Sequence, residues 1–177
     1  MLAGLLLAPM AARADMPVVQ PTRDVDVTYR VPVPGGTPVF LLQRLRWSAA
    51  TRRQRVDLPS SGSWMVIDFA NSRMALVRDA SREVVDLPAP LSATQPGGGA
   101  AFSRVGTDTV AGLPCTQWRT TDTRGQEALA CYTVDGVLLR AAAGSRVMME
   151  AVGVKFGQQD MSVFQLPAGY THQQSNR

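Results

Sequence analysis

Apolar and polar residues alternate along most of this chain, as in Val25-Asp26-Val27-Thr28-Tyr29-Arg30-Val31. A period of two is the mark of a strand with one face buried, and the 3.6-residue period of an amphipathic helix is scarce here. The alternation predicts strands over Asp24–Val31, Val39–Trp47, Arg52–Leu58, Trp64–Ala70, Arg73–Arg78, Glu83–Leu87, Ala101–Val105, Cys115–Thr121, Gln126–Val134, Val137–Ala142 and Arg146–Phe156. Turn-forming residues separate them, at Pro34-Gly35-Gly36, Asn71-Ser72, Asp135-Gly136 and Gly144-Ser145. The Pro-, Ala- and Gly-rich stretch from Pro88 to Gly99 reads as a loop or short lid within one domain, and Gln159 to Gln165 as one or two helical turns at most.

Two hairpins can be aligned residue by residue. If Cys115 faces Cys131, Arg119 faces Glu127 and Thr121 faces Gly125, closing a loop of Asp122-Thr123-Arg124. A disulfide suits facing strands, and the alternative is two buried free thiols. A two-residue turn at Asn71-Ser72 sets Phe69 against Met74 and Ile67 against Leu76 on one face, with Val66 against Val77 and Asp68 against Ala75 on the other. Both faces of that hairpin are largely apolar, so both need cover. With almost no helix to supply it, the chain must either curve its sheet back on itself or pack two sheets as a sandwich. Asp68, mid-strand among apolar neighbours, calls for an arginine partner such as Arg44, Arg46 or Arg55.

The ends set the compartment. Residues 1–14 read as a secretory signal peptide without a basic n-region: an apolar run from Leu2 to Ala8 leads to Ala12-Arg13-Ala14, a small-x-small cleavage site. Residues 15–23 read as an extended segment, 24–171 as one β domain and 172–177 as a polar tail. Two cysteines fit an oxidising space such as the periplasm, where a Cys115–Cys131 bond would persist. No later stretch is long and apolar enough for a transmembrane helix, so the mature chain is expected to be soluble.

Composition narrows the chemistry. Of 177 residues, 45% are hydrophobic and 18% charged, a globular balance. The net charge of +4 is carried by arginine, with Lys155 the one lysine. Arg44, Arg46, Arg52, Arg53 and Arg55 lack interleaved aromatics, so no nucleic-acid partner is expected. His172, the one histidine, lies in the polar tail, which argues against a Ser-His-acid triad. Two cysteines and one histidine make a poor metal set. Gly97-Gly98-Gly99 lacks the Lys-Ser/Thr of a phosphate loop. No enzyme, metal or cofactor is expected.

The stretches WMVIDFANSRMALVRDASREVVDLP, GTDTVAGLPCTQWRT, ALACYTVDGVLLR and VKFGQQDMSVFQLPAGY resemble a family of uncharacterised bacterial periplasmic domains related to the LolA/LolB lipoprotein-carrier superfold, over about residues 24–171. The resemblance implies an incomplete β-barrel: one curved antiparallel sheet, mostly β with minimal helix, under a short lid. It implies a ligand-binding concave face lined by Phe40, Leu42, Met65, Ile67, Phe69, Met74, Leu76 and Met148, and methionines suit a wall that adapts to varied shapes. Arg44, Arg46 and Arg55 could then hold an anionic head at the mouth. The chain departs from the carriers where Pro17 and Pro21 replace their N-terminal helix, and it lacks the lipid-modified cysteine of LolB-type receptors. The expected function is a periplasmic binding protein for a hydrophobic or lipid-like ligand. The alternative is a structural or partner-binding envelope protein without a small-molecule ligand.

Overall fold

The computed structural model describes residues 16–33, 39–59, 62–89, 101–121 and 125–174. Twelve strands form among them: β1 Val25–Pro32, β2 Phe40–Ser48, β3 Arg53–Asp57, β4 Ser63–Asp68, β5 Arg73–Arg78, β6 Glu83–Pro88, β7 Ala101–Val110, β8 Leu113–Thr121, β9 Glu127–Tyr132, β10 Leu138–Ala143, β11 Arg146–Phe156 and β12 Thr171–Gln174. They join one mostly-β sheet in the order β12-β6-β5-β4-β3-β2-β1-β11-β10-β9-β8-β7. The sheet is curved but not closed into a barrel. The curl is visible in one ion pair. Arg140 of β10 reaches Asp108 of β7, three strands away, where a flat sheet would put the backbones about 14 Å apart.

Cross-strand register shows how the two apolar faces are covered. On one face Val25, Val27 and Tyr29 of β1 and Trp47 of β2 are buried in one cluster with Ala151 of the neighbouring β11, Leu139 of β10, and Val110 and Cys115 of the far strands β7 and β8. On the opposite face of β4–β6, Trp64, Val66, Ala75, Val77 and Val84 form a second cluster, with Tyr170 against it. Its cover comes from the chain after β11. A 3-10 turn, Met161–Phe164, buries Phe164, and Arg55 donates to the Val163 carbonyl at 2.9 Å. Asp79 accepts from both Trp64 Nε1 (3.2 Å) and the Tyr170 hydroxyl (3.1 Å), pinning the segment down.

Both hairpin registers differ from the sequence expectation by one step of two residues. Cys115 and Cys131 are bonded, with Cα atoms 5.4 Å apart. However, Cys131 faces Gln117, Arg119 faces Leu129 and Thr121 faces Glu127, so the bond joins diagonal neighbours. The predicted loop residues Asp122, Thr123 and Arg124 lie outside the described residues, as do the signal segment, Pro34-Gly35-Gly36 and most of the Pro88–Gly99 lid. In the second hairpin Ile67 faces Met74, Met65 faces Leu76 and Asp68 faces Arg73, leaving a four-residue turn over 69–72. Asp68 causes the longer turn. Its carboxylate accepts from the Asn71 backbone and side-chain amides, both at 3.0 Å, and Ser72 takes a left-handed φ of 53°. Its arginine partner is Arg53, at 3.0 Å, rather than Arg44, Arg46 or Arg55. Burial pushes the Asp68 carboxyl upward, but the bonds from Asn71 and Arg53 outweigh it and hold the group below its ordinary range.

Two strands escaped the sequence reading in part or whole. β7 continues past Val105 to Val110 through a bulge between Arg104 and Gly106. β12 pairs in parallel with β6 and places His172, read as tail, in the sheet, 3.5 Å from Asp86. All four β12 side chains are exposed, so no apolar alternation could announce that strand.

The extended segment from Met16 to Arg23 is docked on the β9–β10 turn. The Thr22 amide donates to the Asp135 carbonyl at 2.9 Å, and Arg23 pairs with the Asp135 carboxylate at 2.8 Å. Gly136, at φ 84°, makes the close approach possible: a Cβ there would sit 2.5 Å from the Gln20 carbonyl oxygen and 2.8 Å from Val18. Gly136→Ala is therefore expected to destabilise the fold by about 2 kcal/mol and to release the segment. Thermal unfolding together with hydrogen exchange at residues 18–22 checks this, and an unchanged exchange pattern would refute it.

Candidate functional site

The strand pairing lines up apolar side chains into two rungs on one face. One runs Val27, Leu45, Val56, Met65, Leu76, Val85 across β1 to β6. The neighbouring one runs Val25, Trp47, Gln54, Ile67, Met74, Leu87. Cover thins along the rungs. Val25 and Val27 are fully buried and Trp47, Val56 and Ile67 nearly so, while Leu45 on β2 and Met65, Met74, Leu76, Val85 and Leu87 on β4–β6 are half-buried. The face therefore begins as core at β1 and opens at β4–β6 into an apolar surface floored by two methionines.

Of the residues expected to line a binding face, the structure brings Met65, Ile67, Met74 and Leu76 together there. Phe69 lies in the turn that follows β4, edge-on to Trp47 at 5.4 Å. Phe40 and Leu42 point to the opposite face of β2 and are exposed, and the Arg30 guanidinium sits 4.8 Å over the Phe40 ring. Met148 is the extra residue of a bulge in β11 and is also exposed. Leu45, Val56, Val85 and Leu87 belong to the rungs but were not singled out from the sequence. Their strand alternation was legible, and only the register joins them to Met65 and Leu76.

Arg44, Arg46 and Arg55 lie on the face opposite the two methionines, each with an acid partner. Arg44 pairs with Asp26 at 2.6 Å, and that bond raises the guanidinium above its ordinary value despite partial burial. Arg46 and Arg55 share Asp57, at 2.6 and 2.8 Å, and Arg55 also stacks 3.7 Å over the Trp64 ring. A shallow polar hollow of about 360 Å³ adjoins Arg44, lined also by Asp26, Thr28, Gly153 and Lys155. These arginines stitch β1, β2 and β3 together on the face opposite the methionine surface rather than ringing it. Among the described residues no group of three or more His, Cys, Asp or Glu side chains could hold a metal ion, and no helix is long and apolar enough to cross a membrane.

No protein-family model matches the sequence, and no curated protein matches it. Solved structures do. An uncharacterized conserved protein from Thermus thermophilus aligns with a TM-score of 0.61 at 13% identity, over 86% of this chain and 91% of that one. PNGF-II aligns at 0.56 and 13% identity, over 87% of this chain but 31% of its own length. MucB, in the MucA/MucB complex of Pseudomonas aeruginosa, aligns at 0.54 and 13% identity, over 85% of this chain. The chain thus spans little more than half of MucB, 58% of it. At such identities the likeness speaks for architecture alone, and the fold this chain shares with MucB is LolA-like.

Proposed function

We propose that this chain is a non-enzymatic periplasmic binding protein that receives a hydrophobic or lipid-like chain on the open end of its apolar face. The observation that carries this is the rung of Met65, Leu76 and Val85, a half-buried apolar continuation of the core in strand register with the buried Val27 and Val56. A binding surface of this kind is mainly apolar, and flexible thioethers adapt to acyl chains of different shape. The small-x-small site after residues 1–14 and the Cys115–Cys131 bond support export to an oxidising compartment.

The test is native mass spectrometry of protein purified from cell envelopes, with displacement of a fluorescent fatty acid as the quantitative arm. Leu76→Glu places a carboxylate in the middle of the rung and is expected to weaken displacement at least about tenfold. Absence of any co-purified lipid together with absence of displacement by the wild-type chain would reject the reading. A second reading, docking of an envelope protein, is favoured by one finding: the fold neighbour MucB was solved in complex with MucA(peri). Crosslinking in cells separates the two. A specific protein adduct on the β4–β6 face without bound lipid selects the second.

A further inference from the structure

At the other end of the sheet from the proposed binding face, the docked N-terminal segment roofs a hollow of about 220 Å³. Met16, Pro17 and Val18 line it together with Trp118, Tyr132 and Arg104. The register explains the convergence. Arg104 of β7 faces Trp118 of β8, and Tyr132 of β9 faces Thr116 of β8, so the cation and the two rings share a face of three adjacent strands. Phe102 meets Trp118 edge-to-face at 6.5 Å and holds its indole in place. Arg104 is exposed and, unlike Arg44, Arg46 and Arg55, has no acid partner among the described residues. An unpaired guanidinium beside two aromatic rings is a recognition element that the ion-pair stitching of the sheet does not use.

We propose that this hollow binds a small aromatic carboxylate, with the ring on Trp118 and Tyr132 and the carboxylate at Arg104. Size selects the class. A cavity of about 150 Å³ accommodates benzene, so this hollow has room for one ring and a short acid arm. Charge selects the anion, since Arg104 is the one charged side chain on the lining. The Tyr132 hydroxyl, like any tyrosine, is neutral near pH 7 and does not repel an acid. Thr116, on the same strand face, carries a hydroxyl that can donate to it.

Phenylacetate and its neutral counterpart phenylacetamide, titrated into the full exported chain and followed by NMR, test the assignment. Phenylacetate is expected to shift the Trp118 indole N–H and the Met16 methyl saturably, with phenylacetamide about fivefold weaker. Arg104→Ala should bring the acid down to the affinity of the amide, Arg104→Lys should keep the preference for the acid, and Arg119→Ala, outside the hollow, should change nothing. No saturable shift at Trp118 and Met16, equal binding of acid and amide, or an acid affinity indifferent to Arg104→Ala would each overturn the site.

Discussion

Replacing Trp47 by alanine is expected to cost about 3–5 kcal/mol and to lower the melting temperature by about 10 °C or more. Trp47 is the largest fully enclosed side chain, 2% exposed at the point where β1, β2 and the turn after β4 converge. It faces Val25 across the strands and takes Phe69 edge-on. Truncation would empty the centre of the first core cluster, and a curved sheet braced by its own hydrogen bonds cannot collapse to fill the space. Trp47→Phe is expected to cost far less, for a specific reason. The Trp47 Nε1–H has no hydrogen-bond partner among the described residues, so phenylalanine keeps an aromatic ring against Phe69 while deleting an unpaired buried donor. Urea unfolding of the two variants side by side checks this. Equal losses would mean that the indole nitrogen, not the ring packing, carries the contribution.

Removing the disulfide, as Cys115→Ala with Cys131→Ala, is expected to cost about 3 kcal/mol, the loop-closure value for a bridge spanning 16 residues. Both cysteines belong to the first core cluster, so the apolar replacement avoids burying an unpaired hydroxyl. Because the bond joins diagonal neighbours, the β8–β9 ladder does not depend on it for register. The variant should keep a native far-ultraviolet circular dichroism spectrum at low temperature while unfolding at lower urea. Wild-type protein denatured with and without reductant offers the same comparison without mutation. If reduction leaves the midpoint unchanged, the bridge is no brace of the native fold.

The register errors show where sequence reasoning stops. Alternation assigned Ile67, Met74, Met65 and Leu76 to one face and Val66, Ala75 and Val77 to the other, and the structure agrees, because a slip of two residues leaves every side chain on its original face. The slip itself was decided by Asp68, whose carboxylate caps Asn71 and binds Arg53. That three-way arrangement exists only once β3 lies beside β4. The same holds for Cys115 and Cys131. Their pairing was legible, but a sulfur bridge reaches a diagonal neighbour as well as a facing one, so bonding did not imply facing.

The sites divide along the same line. Met65, Ile67, Met74 and Leu76 could be grouped from one local hairpin, since a tight turn makes near neighbours in space of near neighbours in sequence. Phe40, Leu42 and Met148 were grouped with them by apolarity alone. The face of Phe40 and Leu42 depends on strand parity from β2 through to β4, and that of Met148 on a bulge within β11. The hollow under Met16, Pro17 and Val18 had no sequence signal, because it joins the start of the chain to β7, β8 and β9 across about a hundred residues.

By itself the sequence determined most of the strands, the face of each side chain in the β4–β5 hairpin and the cysteine pair. The strands and faces follow from a two-residue period settled within a few residues of chain, and the cysteine pair from there being two cysteines in an exported chain. Only the tertiary structure decided the register, the curl that brings Arg140 to Asp108, the parallel pairing of β12 and the roof over Trp118. Those depend on contacts between segments far apart in the chain, where hydrogen-bonded pairs compete at equal hydrophobic gain and a single carboxylate or glycine tips the balance.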